Sequence, residues 1–174
     1  VAKIKAAGAD TIITGNWGAD LALLVKAARD AGSNANFYTY YAGTTGVPTA
    51  MGAAGADRVR QVSYWHANDS VMNAQPIIEG FKKKFNDDYY TMATYTSFRM
   101  LSEAMKRAKS TEPLKVALAM EGLKVQSLNG EVEMRASDHQ AQQAVYVSSW
   151  QKVDGKTVKF DQENTGYGWR TEAT

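Results

Sequence analysis

Acid–base and metal chemistry have few footholds in this chain. His66 and His139 are its only histidines and it has no cysteine, which excludes disulfides, thiolate zinc sites and cysteine nucleophiles together. There is no HExxH and no cluster of carboxylates at ligand spacing, so no metal is expected. No GxSxG elbow is present, and the turn from Gly15 to Gly18 is not the GxGxxG of a dinucleotide site. Asp138 could orient His139 as a base, but adjacent residues rarely face each other, and a structural histidine near a strand start is the plainer reading. His66 reads as a linker residue. No catalytic residue and no cofactor is therefore assigned. What remains is Asn16 and Trp17 in one turn, with Tyr40, Tyr41, Gly43 and Thr44 in and after a second aromatic run. Rings beside amide and hydroxyl groups suit stacking and hydrogen bonding, and hence binding better than bond-breaking.

The elements that hold these residues are strands and helices in alternation. Residues 11–14, TIIT, are β-branched and suit a strand buried on both faces. Gly15 to Gly18 turns the chain, and Leu21, Leu24, Val25 and Ala28 recur at helical spacing until Gly32 stops the helix. In open α/β sheets such a turn, at the carboxyl end of a strand, is where ligands sit. The alternative for Trp17 is that it merely caps the sheet's edge. Residues 36–41, NFYTYY, form a second strand, in which Tyr40 and Tyr41 point to opposite faces. Pro48 opens a short helix, and residues 59–64 form a third strand in the same parallel sheet.

Beyond Tyr64 the alternation stops. Three helices are expected, from about residue 73, from about 91 to 109, and from 113 to 122, with apolar faces but no sheet of their own. Asn129-Gly130 then signals a hairpin, residues 144–150 a strand, and Asp154-Gly155 a hairpin turn into a strand at 157–160. The Lys82-Lys83-Lys84 triplet reads as a solvated helix face.

The 174 residues are 44% apolar and 22% charged, with a net charge of only +2, so neither nucleic acid nor membrane surface is an implied partner. No apolar run approaches the roughly 20 residues that span a bilayer, and no direct membrane insertion is expected. The opening VAKIKAAG reads as the tail of a helix, as if an N-terminal part were missing.

The stretches AGADTIITGNWGADLALLVKAARDAG, NFYTYY and DHQAQQAVYV resemble, in order and spacing, the later part of periplasmic solute-binding proteins of the branched-chain amino acid (Leu/Ile/Val-binding) ABC transporter type. The resemblance covers essentially the whole chain. It implies an α/β protein that is part of a two-lobe type I periplasmic-binding-protein fold, a parallel sheet flanked by helices, closing on ligand by a hinge motion. Residues 1–65 would be the second lobe's parallel α/β portion, 66–142 the mainly helical back half of the first lobe, and 143–174 a hinge-crossing strand with a C-terminal hairpin. Trp65, His66, Gln143 and Tyr146 would lie at the hinge. Asn16, Trp17, Tyr40, Tyr41, Gly43 and Thr44 would line the ligand site.

Further expectations follow from the resemblance. The partners would be a small-molecule solute and an ABC permease, the location periplasmic or exported to the cell surface, and the protein not an enzyme. Where amino-acid binders carry an acidic residue after the second strand, this chain has Tyr41 and Ala42, which implies an uncharged or acidic solute. The apolar helices would be covered by the missing N-terminal portion or by a swapped second copy. A sensory or regulatory domain on the same scaffold, and a small α/β enzyme using Asp138-His139, are the alternatives.

Overall fold

In the computed structural model, residues 1–69, 74–90 and 92–174 are described. Residues 70–73 and 91, which include part of the expected hinge and the expected starts of two helices, lie outside them. The chain forms two compact units, one made of Val1–Asp69, Ile77–Tyr90 and Val145–Thr174, the other of Ser70–Pro76 and Thr91–Ala144. This division differs from the grouping expected from the sequence, because residues 77–90 go with the first unit rather than with the helices that follow them.

The first unit is mixed α/β. After a short helix α1 (Ala2–Ala6), strands β1 (Thr11–Thr14), β2 (Asn36–Thr39) and β3 (Val59–Ser63) are joined through helix α2 (Gly18–Asp30) and helix α3 (Val47–Met51) with its 3-10 turn. β1, β2 and β3 run parallel, with Ile13 opposite Tyr38 and Thr39 opposite Gln61. Helix α4 (Gln75–Phe85) follows. The sheet then gains β7 (Tyr146–Lys152), antiparallel to β3, and β8 (Tyr167–Ala173), antiparallel to β7, in the order β1-β2-β3-β7-β8.

The core of this unit gathers Leu21, Val25 and Ala28 of α2, Phe37, Val47, Met51 and Val59, with Trp150 and Trp169 of the last two strands. α2 ends as its sequence requires. Gly32 has φ of 67°, the left-handed region glycine enters without strain, and Ser33 N–H bonds back to Ala28 O at 2.9 Å.

Two sequence expectations are corrected here. β1 is not buried on both faces: it is the edge strand, and Ile13 is 78% exposed. Nor do residues 157–160 form a strand. Asp154 Oδ1 accepts from the amides of Lys156, Thr157 and Val158, curling the backbone into a local turn. The amides of Lys159 and Phe160 then bond to Asn68 Oδ1, and Asn68 Nδ2 donates to Phe160 O. The partner of β7 is instead β8, reached only after this long connection.

The second unit does have a sheet. Helices α5 (Met92–Ala108) and α6 (Pro113–Met120) accompany strands β4 (Lys124–Ser127), β5 (Gly130–Met134) and β6 (Ala141–Gln142), paired in sequence order. Met100 of α5 packs with Val125 and Val132, so this apolar face covers strands of its own, contrary to the expectation that it had none. Glu112 caps α6, its carboxylate accepting from Leu114 N and Lys115 N.

Candidate functional site

Parallel pairing decides where the candidate binding residues lie. β1 and β2 end side by side, Thr14 opposite Thr39, so Asn16 and Trp17 after one strand and Tyr40 and Tyr41 after the next leave the sheet at the same edge. All are exposed, with Trp17 at 73%, Tyr40 at 57% and Tyr41 at 45%. The two tyrosine rings meet edge to face, 6.4 Å between centroids. Three large rings held open at one sheet edge are unusual, since aromatic area is what cores normally bury. Trp17 is the N-cap residue of α2 in extended conformation, and its side chain makes no cap bond.

The polar members of the group are tied locally. Asn16 Oδ1 accepts from Thr14 Oγ1, and Thr14 Oγ1 accepts in turn from Asn16 N–H. Thr44 donates both its amide and its hydroxyl to Tyr41 O, at 3.1 and 2.7 Å, which closes the turn after β2. Gly43 has a packing reason to be glycine: a Cβ there would lie 2.2 Å from Oε1 of the buried Gln61. Its carbonyl accepts from Gln162 Nε2 at 2.8 Å.

Of the residues expected at a hinge, Trp65, His66 and Tyr146 are buried in the first unit, and Gln143 stands next to last in the second unit's segment. Trp65 meets Tyr89 edge to face at 5.7 Å, and His66 meets Tyr146 at 6.2 Å. Thus three segments that end at unit boundaries touch one another. Burial lowers the His66 imidazole to about 4 against the opposing pull of Asp69. Burial, then Asp69, pushes the Tyr146 phenol up to about 12.

Asp138 does not orient His139. Both of its carboxylate oxygens face the Arg135 guanidinium, one at 2.8 Å. That pairing, then the Gln140 amide, holds the Asp138 carboxyl down at about 2. His139 instead lies 3.6 Å from Glu121. Among the described residues no group of three metal-ligating side chains occurs, and no helix is long and apolar enough to cross a membrane.

Sequence reasoning missed Gln162, Glu163 and Tyr90, which brace the loop after β2. Glu163 accepts from Gly46 N at 2.6 Å, from Thr49 N at 2.7 Å and from Tyr90 O–H at 2.9 Å. Nothing periodic marks these positions, and the loop residues that Gln162 and Glu163 hold, like Tyr90 from Glu163, lie more than 70 residues away in the chain.

Residues 1–157 match the family model of the periplasmic binding proteins. The chain is 34% identical over 97% of its length to Leu/Ile/Val-binding protein homolog 4 of Brucella abortus, and spans 41% of that protein. Among solved structures, a leucine-, isoleucine-, valine-, threonine- and alanine-binding protein from Brucella ovis, in a closed conformation, superposes with a TM-score of 0.85 at 30% identity. It matches 99% of this chain, which covers 44% of that one. A solute binding protein of an ABC transporter from Rhodopseudomonas palustris, in complex with 3,4-dihydroxy benzoic acid, shares the fold at 0.78 and 17% identity. There the match takes in 97% of this chain and 45% of the other. With nine-tenths of its length inside one family model and its fold that of the same proteins, this chain belongs to the periplasmic binding protein family.

Proposed function

We propose that this chain is part of a non-catalytic receptor that binds a small amino acid or a related carboxylic or aromatic solute and hands it to an ABC permease, in the periplasm or at the cell surface. The observation that carries the reading is the exposure of Trp17, Tyr40 and Tyr41 at the edge where two parallel strands end. A planar or branched apolar solute would stack there, and the rest of the protein would close over it. The relatives, among them binders of branched-chain amino acids and of an aromatic acid, support the same class.

The choice within that class turns on charge. Residues 40–46 contain no Asp or Glu, so a ligand ammonium enclosed there would lack a countercharge from that loop, at considerable cost. Asp20, exposed in the first turn of α2, is the carboxylate that could supply one. An uncharged or acidic solute is therefore preferred. Exposed Phe98, Leu114 and Leu118 would be covered by the remainder of the protein or by a second, exchanged copy. Thermal shift of the full-length protein against leucine, valine, benzoate and 4-hydroxybenzoate tests the reading. A rise in Tm with an aromatic acid is expected, whereas a rise with leucine that D20N abolishes would reverse the ligand preference.

A further inference from the structure

Glu163 sits in the connection between β7 and β8, far in sequence from every residue it serves. Oε1 accepts from Gly46 N–H and from Tyr90 O–H, while Oε2 accepts from Thr49 N–H and the Thr49 hydroxyl. One residue earlier, Gln162 donates to Gly43 O and accepts from Trp169 Nε1 at 2.7 Å. Adjacent residues thus grip the loop after β2 at both ends. Glu163 N–H also donates to Asp88, whose other oxygen pairs with Lys82 at 3.0 Å. Glu163, Gly46, Thr49, Tyr90, Asp88 and Lys82 border an open cavity of about 420 Å³. The carboxylate that faces it already serves four donors, so the cavity holds a brace rather than a vacant binding site.

Tyr90 is the last residue of the first unit's middle segment. Its phenol is pushed up beyond any working pH, by burial first and by Glu163 next, so it remains a donor. A shift of residues 88–90 must therefore be felt by Glu163, and through it by the first turn of α3 and the loop that carries Tyr41 and Thr44. Elements that share a fully satisfied charged group move together or break its bonds.

From this arrangement we propose that Glu163 is a positioning residue, coupling the candidate ligand loop at 40–46 to the segment through which the chain leaves the first unit at Tyr90. The proposal rests on the receptor reading for its functional meaning, but its mechanical core can be tested without a ligand.

Y90F removes one hydroxyl and leaves the bonds from Glu163 to the loop intact. In the full-length protein it should leave Tm nearly unchanged while speeding hydrogen exchange of the Gly46 and Thr49 amides roughly five-fold or more, in the range of ordinary coupling energies. E163Q, in which an amide NH2 faces donors, should speed exchange further. Stopped-flow tryptophan fluorescence with leucine and with 4-hydroxybenzoate then reads dissociation of whichever probe binds, and a faster off-rate in Y90F is expected. Unchanged exchange in a folded Y90F overturns the coupling, whether or not a probe binds. Failure of both probes overturns the receptor reading, and the exchange measurement still decides the coupling.

Discussion

His66 Nε2 lies 2.8 Å from Thr171 Oγ1, while its Nδ1 accepts from Asn68 N–H at 3.2 Å. The ring is thus neutral, with its proton on Nε2, and is packed against Tyr146. Burial holds its pKa near 4, against an ordinary 6.5, with Asp69 pulling the other way. Between those two values the unfolded chain binds a proton that the folded chain refuses. Stability is therefore full above about pH 6.5 and falls as the pH drops toward 4, by roughly 3 kcal/mol in total from this residue. Urea unfolding across that window should show the slope, and H66Q should flatten it. An identical slope in H66Q would mean that other groups set the acid sensitivity.

Trp17 separates stability from binding. Because its side chain is largely exposed and makes no cap bond, W17A should change unfolding free energy by no more than about 0.5 kcal/mol. If the ring stacks on solute, affinity should fall by a factor of roughly 30 or more. Calorimetry and urea unfolding on the same preparation give both numbers. Unaltered affinity would remove Trp17 from the binding edge.

Gly43 is constrained from behind rather than by a ligand in front. An added methyl would meet the Gln61 carboxamide at 2.2 Å, and Gln61 is buried and cannot simply swing into solvent. G43A should therefore destabilise by about 1–3 kcal/mol. The cost should shrink in a Q61A background, where the obstruction is gone. Equal costs in both backgrounds, measured by urea unfolding, would show that the clash relaxes some other way.

The legible parts of the fold were those encoded locally. The run from Thr11 to Gly32 announced strand, turn and helix, because β-branching, a glycine-bounded turn and helical spacing act within a few residues. The exposed faces of β1 were misread, since the same β-branched composition serves an edge strand as well as a central one. Residues 157–160 looked like a hairpin's second strand, but the alternative was written in side chains: Asp154 and Asn68 take the backbone amides that a strand partner would have used. The shared edge that carries the candidate residues could be foreseen, because turns after parallel strands leave a sheet on the same side. Its brace could not, because Glu163 meets Gly46 and Tyr90 only through tertiary contacts.

The sheet order also bears on the sequence in which the fold can be completed. β3 waits for β7, some 85 positions later in the chain (Val62 pairs with Val147), and β7 is in turn covered by β8, which ends at Ala173. Residues 92–144 can complete their helices and three-stranded sheet among themselves, whereas the parallel half, with Val59 and Phe37, needs Trp150 and Trp169 to close its core. The apolar layer of the parallel half thus stays unfinished until β7 and β8 join it, which makes its closure depend on contacts of long sequence separation.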